Sequence, residues 1–255
     1  MKAKGRTAVE LQGLHGQVVD RIGASLADDE RRAGRVLRLE DVQAEYGVSR
    51  TVAREAIRVL ESKRVVHSRP RVGITVRPLP EWNLYDPQVI RWRLATSQRR
   101  EQLRELAELR AAVEPAAASL GALRSDGALR ERLLGHARDM ADAAGEGDLK
   151  RFIAADAAFH RTLLASSANA MFAQLADVTE ELLVARGELA LMPDRVDDAS
   201  VRRHVDAARA VADGDPAGAA ACVRVILDRS RGEVEGLLDG GDPSTGGPGG
   251  CAFGE

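Results

Sequence analysis

The sequence predicts a mainly α-helical protein in two parts, an N-terminal winged helix-turn-helix followed by an all-helical bundle. Three observations carry that prediction. The composition is 44% hydrophobic but only 3% aromatic, which suits helices packed through Ala, Leu and Val. From residue 99 to 238, apolar residues recur at helical spacing in six stretches separated by polar breaks. Finally, the charge is divided along the chain: residues 1–80 hold 16 Lys/Arg against 10 Asp/Glu, and residues 81–255 hold 21 against 29. A basic first third joined to an acidic remainder points to one part that meets a polyanion and another with a different task.

The elements follow in order. Leu11, Leu14, Val18, Ile22 and Leu26 place a helix over 7–26. "ADDERRAG" is a polar break. "LEDVQAEYG" reads as a short helix stopped by Gly47. Ser49 then caps a helix through Thr51 to Lys63, whose buried stripe is Val52, Ala53, Ala56, Ile57 and Leu60. "VVHSRPRVGITVRP" turns β-branched around a Pro/Gly pair and predicts a hairpin. Residues 1–78 thus form the first domain, and 79–98, with three prolines in 78–87 and both tryptophans, form a linker containing a short helix. Helices are expected over 99–123, 126–144, 148–166, 169–190, 198–213 and 216–238, the last opened by Asp215 and Pro216. The Gly/Pro-rich residues 239–255 have almost nothing to bury and are expected to be disordered.

Several classes are excluded or disfavoured. No apolar run approaches the roughly 18 residues that span a bilayer, and the basic N-terminus lacks the apolar segment of a secretory signal. Cys222 and Cys251 have neither metal-ligand nor disulfide spacing. A cytoplasmic protein with no membrane partner is expected.

The stretch "GVSRTVAREAIRVLE" concentrates donors at one helix opening. Arg50 and Arg54 lie four apart, on one face, away from the apolar stripe. Arginine can address guanine bidentately, whereas Ser49 and Thr51 suit phosphate oxygens. A solvated helix face is the plainer alternative. "YGVSRTVAREAIRVLESKRVV", followed by "GITV", resembles the DNA-binding signature of GntR-family bacterial transcription regulators. That resemblance implies contacts to double-stranded operator DNA from Ser49, Arg50, Thr51 and Arg54, and more loosely from the wing at Arg69, Arg71 and Gly73. It also implies a homodimer on a palindromic site, since one short recognition helix offers few base contacts. The chain departs from the family pattern at "VLRLEDVQ", which has no proline and puts Glu40 where a phosphate-binding arginine is expected. Losing one phosphate contact weakens affinity and flattens its salt dependence.

In the second part, "DAAFHRTLL" sets Asp156 and His160 four apart on one helix, and His204 follows in "RRHVDAA". One carboxylate and two imidazoles suit a divalent metal such as Zn, Ni or Mn; neutral imidazoles bonded to Asp156 and water are the alternative. "LRELAELRAAVEPAAASLGA", "DAAFHRTLL" and "RRHVDAARAVADGDPAGAA" together resemble the helical FCD sensor of the FadR subfamily. The resemblance implies a metal held by Asp156, His160, His204 and a fourth histidine, but Ile226 stands at the fourth position and cannot coordinate. Three ligands with open positions are favoured, because three polar groups without a cation would be buried unpaired.

The same resemblance places Arg110 facing the cavity, where a guanidinium suits a small carboxylate effector. An exposed Arg110 paired with Glu114 is the competing reading, and Ser200 and Arg231 are further candidates for the cavity. "WNLYDPQVIRWRL" is similar to the linker of sugar-acid operon repressors, which implies an aldonate or hexuronate effector. The rival function is a metal-dependent hydrolase using Asp156, His160 and His204, since three ligands and an open site also describe catalytic zinc. No general base or nucleophile motif accompanies it.

Overall fold

Ser49 and Gly47 explain how one short segment makes two helices. In the computed structural model of the chain, α2 (Leu39–Tyr46) ends at Gly47, whose φ of 65° is the left-handed stop that glycine adopts without a Cβ clash. Ser49 lies just before α3 (Arg50–Ser62), and its hydroxyl accepts the Val52 N–H at 3.3 Å. The structure describes residues 8–28, 33–69, 72–189, 191–192 and 196–238, with side chains from residue 16 to 236. The side chains of Leu11 and Leu14, together with Arg71 and the tail 239–255, lie outside the described part.

The chain divides into two units, Met1–Arg99 and Arg100–Glu255. In the first, α1 (Ala8–Ala27) and α2 pack on α3. Ala53, Ala56, Ile57 and Leu60 of α3 join Val18, Val19, Ile22 and Leu26 of α1 in one buried cluster. The wing is β2 (Val66–Arg69) antiparallel to β3 (Gly73–Val76), in the register Val66 opposite Val76. The expected hairpin gains a third strand. The two-residue β1 (Val36–Leu37) pairs with the other edge of β3, giving the order β1–β3–β2. Two residues are too few to show an alternating pattern.

Residues 79–98, expected as a linker, pack into the first unit. A single 3₁₀ turn (Leu79–Glu81) leads to α4 (Pro87–Leu94), and Trp82, Val89 and Trp92 enter the same core as α3. Asp86 caps α4 through the Gln88 N–H at 2.9 Å and also takes the Lys63 ammonium, 2.8 Å away, from the end of α3. Asp20 of α1 accepts from the Trp92 indole at 2.8 Å and from Gln88 at 2.7 Å. The segment therefore ties the middle of α1 to the end of α3.

The second unit is α5 (Arg99–Arg124, of which Arg99 belongs to the first unit), α6 (Gly127–Glu146), α7 (Leu149–Ser166), α8 (Ala170–Ala173), α9 (Ala176–Glu188), α10 (Asp198–Asp213) and α11 (Pro216–Leu238). The stretch expected as one helix over 169–190 is two, with α8 separated from α9 at Gln174–Leu175. Its core is aliphatic apart from Phe152 and Phe159, and runs through Leu133, Met140, Leu163, Val211 and Val223. Asp215 caps α11, accepting from Gly218 N at 2.9 Å and Ala217 N at 3.1 Å.

Candidate metal centre and nucleic-acid interface

The first site is a face of α3. The buried stripe occupies one side, which leaves Ser49, Arg50, Thr51 and Arg54 exposed together on the opening turns. Arg58 pairs with Glu55 at 2.6 Å on the next turn. Glu61 accepts the Ser68 N–H at 2.7 Å and so ties α3 to the wing. Arg69 is exposed at the tip of β2, opposite Gly73. Gly73 has φ +106°, and a Cβ there would meet Val36 Cγ1 at 2.9 Å. Its place in the pattern is explained by backbone geometry. Glu40 is exposed in the first turn of α2, where a carboxylate suits the helix dipole.

The second site lies inside the bundle. α7 presents Asp156 and His160 on one face, and α10 brings His204 to them. All three are buried, with ligand atoms within 4.8 Å of one another. Asp156 Oδ1 is the common point, 3.3 Å from His160 Nε2 and 3.3 Å from His204 Nε2. The tautomer of His204 follows from its other nitrogen. Nδ1 stands 2.8 Å from the Ser200 carbonyl, which can only accept, so Nδ1 carries the proton. In a neutral ring Nε2 then turns a lone pair toward a carboxylate oxygen. Asp156 Oδ1 and His204 Nε2 are both buried without a hydrogen-bond partner, an arrangement that repels unless a cation lies between them. The residues fit a divalent metal. Ile226 lines the same cavity and is buried, so no fourth protein ligand stands there.

Behind the trio is the pair of Arg110 and Glu114. Arg110 is 4% exposed, and Glu114, one turn on, is 1% exposed. The pairing with Glu114 is as expected, but it is buried, and the exposed alternative is corrected. Arg110 Nε donates to Glu114 Oε1 at 2.5 Å, and Thr179 donates to the same oxygen at 3.3 Å. Glu114 Oε2 is also 2.7 Å from His160 Nδ1, though off the hydrogen-bond direction. Burial alone would raise the Glu114 carboxyl, but Arg110 and His160 outweigh it and hold it at about 2. Burial likewise opposes ionisation of Asp156 and His160. Glu114 with Asp156 keeps His160 above the usual imidazole range, and His160 in turn holds Asp156 well below the usual carboxylate range.

The cavity also holds Arg186, Ser200, Arg203 and Arg229. Arg186 is the member the sequence hid, one cation in the apolar run "LLVARGELAL". It is 4% exposed and donates to Ser230 at 2.6 Å and to Glu233 at 3.0 Å. Burial pushes its guanidinium down, against the pull of Glu233 and Asp156. Arg231 is not brought to this cavity; it is half exposed on the rim of a neighbouring cleft. This cavity has a volume of about 40 Å³, room for about three water-sized occupants.

Comparison with known proteins matches residues 14–76 to the bacterial regulatory proteins of the gntR family and residues 105–229 to the FCD domain. An uncharacterized HTH-type transcriptional regulator of Escherichia coli, YieP, is 26% identical over 63% of this chain and 70% of its own. The galactonate operon transcriptional repressor of the same organism is 29% identical over 59% of this chain and 65% of its own. A probable D-xylose utilization operon transcriptional repressor of Paenarthrobacter nicotinovorans is 30% identical over 60% and 59%. The last two matches thus span less than two thirds of those proteins. Among solved structures, Lar of Listeria monocytogenes is 16% identical with a TM-score of 0.58, over 92% of this chain and 100% of that one. E. coli McbR/YncC is 18% identical with a TM-score of 0.50, over 88% and 98%. Both likenesses concern the fold.

Proposed function

We propose a function from one premise: this chain belongs to the GntR family of bacterial regulatory proteins and carries an FCD domain behind its GntR domain. It is a transcription regulator, and its family and relatives are regulators and not enzymes, which sets the hydrolase alternative aside. The finer reading is a cytoplasmic repressor of an operon for the breakdown of a sugar acid or another small carboxylate. It binds a palindromic operator as a homodimer through α3 and answers to an effector in the FCD cavity. The observation that carries this reading is the buried Asp156 Oδ1 facing the buried Nε2 of His204, neither with a hydrogen-bond partner.

Asp156, His160 and His204 would hold the metal, and Ile226 leaves positions that a ligand's oxygens can fill. When bound, the ion supplies a Lewis-acid point for a carboxylate and a neighbouring hydroxyl. The chain does the rest. Ser200 fixes the His204 tautomer, the Glu114 carboxylate lies beside His160, and the paired guanidiniums of Arg110 and Arg186 offer donors that an acid can share with Glu114 and Glu233. A six-carbon acid exceeds the present cavity, so its binding requires a wider arrangement of the bundle. That differential affinity for two arrangements gives the effector leverage over DNA binding. The names of the galactonate and xylose operon repressors favour sugar-derived effectors.

The test is thermal unfolding of metal-loaded protein against a panel of aldonates and hexuronates. One acid should raise the melting temperature, and chelator or His204→Ala should abolish the rise. A panel in which no acid stabilises the metal-loaded protein contradicts the effector reading.

A further inference from the structure

The outer face of α5 departs from the rest of the surface. Charged residues make up 30% of the chain, yet no exposed or half-buried position from Leu109 to Leu123 carries one. Leu109, Ala112, Ala116, Ser119 and Leu123 are spaced alternately three and four apart, with Val113 and Leu120 beside them. That is the seven-residue repeat by which one helix lies along another. Ala112, Ala116 and Leu123 are exposed, the last by 64%. The buried pair of Arg110 and Glu114 lies on the other side of the helix. Beside the seam, Phe172 of α8 packs with Val113 against Ala117 and Leu164, and its neighbour Met171 is 72% exposed. The two ends of the seam differ in sign. Glu101, Glu105 and Glu108 precede it with one arginine among them, Arg104, which Glu101 and Glu108 share at 3.5 and 2.7 Å. Arg124 closes it, donating to the uncharged Ser167 carbonyl at 3.3 Å.

We propose that this face is where two copies of the chain meet, α5 against α5 in antiparallel order about Ala112 and Ala116. The proposal rests on the homodimer reading above and gives that dimer a place. Three features select a second copy as the occupant. In antiparallel order the acidic end of one α5 lies near the partner's Arg124, twice over by symmetry, whereas a parallel order sets like charges together. A foreign helix need match neither end; a copy matches both. The small alanines fall at the middle, where two helices approach most closely, and Leu109 and Leu123 fall toward the ends, where a wider gap has to be filled. A centre without charge inside a charged rim is also the composition of a buried protein interface. Met171 stands alongside as an adaptable apolar contact. The seam lies wholly within the second unit and shares no residue with the metal cavity.

Sedimentation equilibrium of the full chain tests the face. The native chain should form a dimer. Ala116→Glu, at an exposed position, should raise the dissociation constant at least tenfold and leave the helical circular dichroism unchanged. Leu123→Glu should do the same and serves if Ala116→Glu fails to fold. In a Cys251→Ser background, Ala116→Cys should be joined chain to chain by a short thiol-to-thiol crosslinker, while Asp139→Cys, exposed on α6, should not. Glu105→Lys with Glu108→Lys should weaken the dimer severalfold, and Arg124→Glu added to them should restore it. A dimer indifferent to both seam substitutions, equal crosslinking at the two cysteine positions, or no restoration by Arg124→Glu overturns the proposal. A chain that stays monomeric at every concentration overturns it together with the homodimer reading, whereas a dimer held elsewhere overturns it alone. The metal-dependent response to sugar acids is read separately on the Ala116→Glu protein, so the effector reading stands or falls by itself.

Discussion

Glu114 shows how much one side chain can organise. Its carboxylate touches Arg110, His160 and Thr179 inside an otherwise alanine-rich interior. Held at about 2 against an ordinary 4.5, it contributes stability that is fully present above pH 4.5 and is lost as pH falls toward 2. That gap corresponds to roughly 3 kcal/mol. Urea unfolding of metal-free protein should therefore weaken steeply below pH 4.5. Glu114→Gln should flatten that acid limb and lower stability at neutral pH by a similar amount, since it strands the Arg110 charge. An unchanged acid limb in Glu114→Gln would place the titration elsewhere. The sequence made the trio legible because an i, i+4 spacing puts Asp156 and His160 on one face. Glu114 reads as the partner of Arg110 but on an exposed face, and Arg186 was harder to read. A charge in an apolar run signals burial only when its partner is known, and Glu233 lies 47 residues from Arg186.

At the scale of elements, capping chemistry was the most legible part of the chain. Gly47, Ser49 and Asp215 each stand where the sequence placed a stop or start. Ser49→Ala should cost about 1 kcal/mol of stability in denaturant melts, in addition to any loss at DNA. The end of α3 was less legible, because Arg64 adopts φ 62° where glycine is usual. The Val65 N–H still closes onto the Leu60 carbonyl at 2.9 Å. Arg64→Gly should relieve the Cβ strain and raise stability by about 0.5–1 kcal/mol; a loss of stability would show that the arginine side chain outweighs the strain. β1 and the division of α8 from α9 escaped reading for different reasons. β1 is too short to alternate although Gly34 turns the chain just before it, and no Gly or Pro stands where α8 is divided from α9.

At the scale of the whole molecule, the basic first part and acidic second part correspond to two separate cores. The tryptophan-rich segment 79–98 misled the reading of a linker. Its prolines mark an extended path, but Trp82 and Trp92 bury too much apolar surface to remain outside the core. Glu40 removes one cation from the DNA face, so the salt dependence of operator binding should be shallow. Replacing it, Glu40→Arg, should steepen the slope of log affinity against log salt by about one phosphate contact. Equal slopes would show that α2 does not approach the backbone.

The central claim is that the exposed donors of α3 read a DNA sequence. Selection and sequencing of random duplexes retained by the full chain tests it directly. The native protein should enrich one inverted repeat, and Arg54→Ala, folded to the same degree, should lose that preference at a cost of about 1–3 kcal/mol in affinity for it. Retention of all duplexes alike by the native protein, or an unchanged repeat with Arg54→Ala, would contradict the claim.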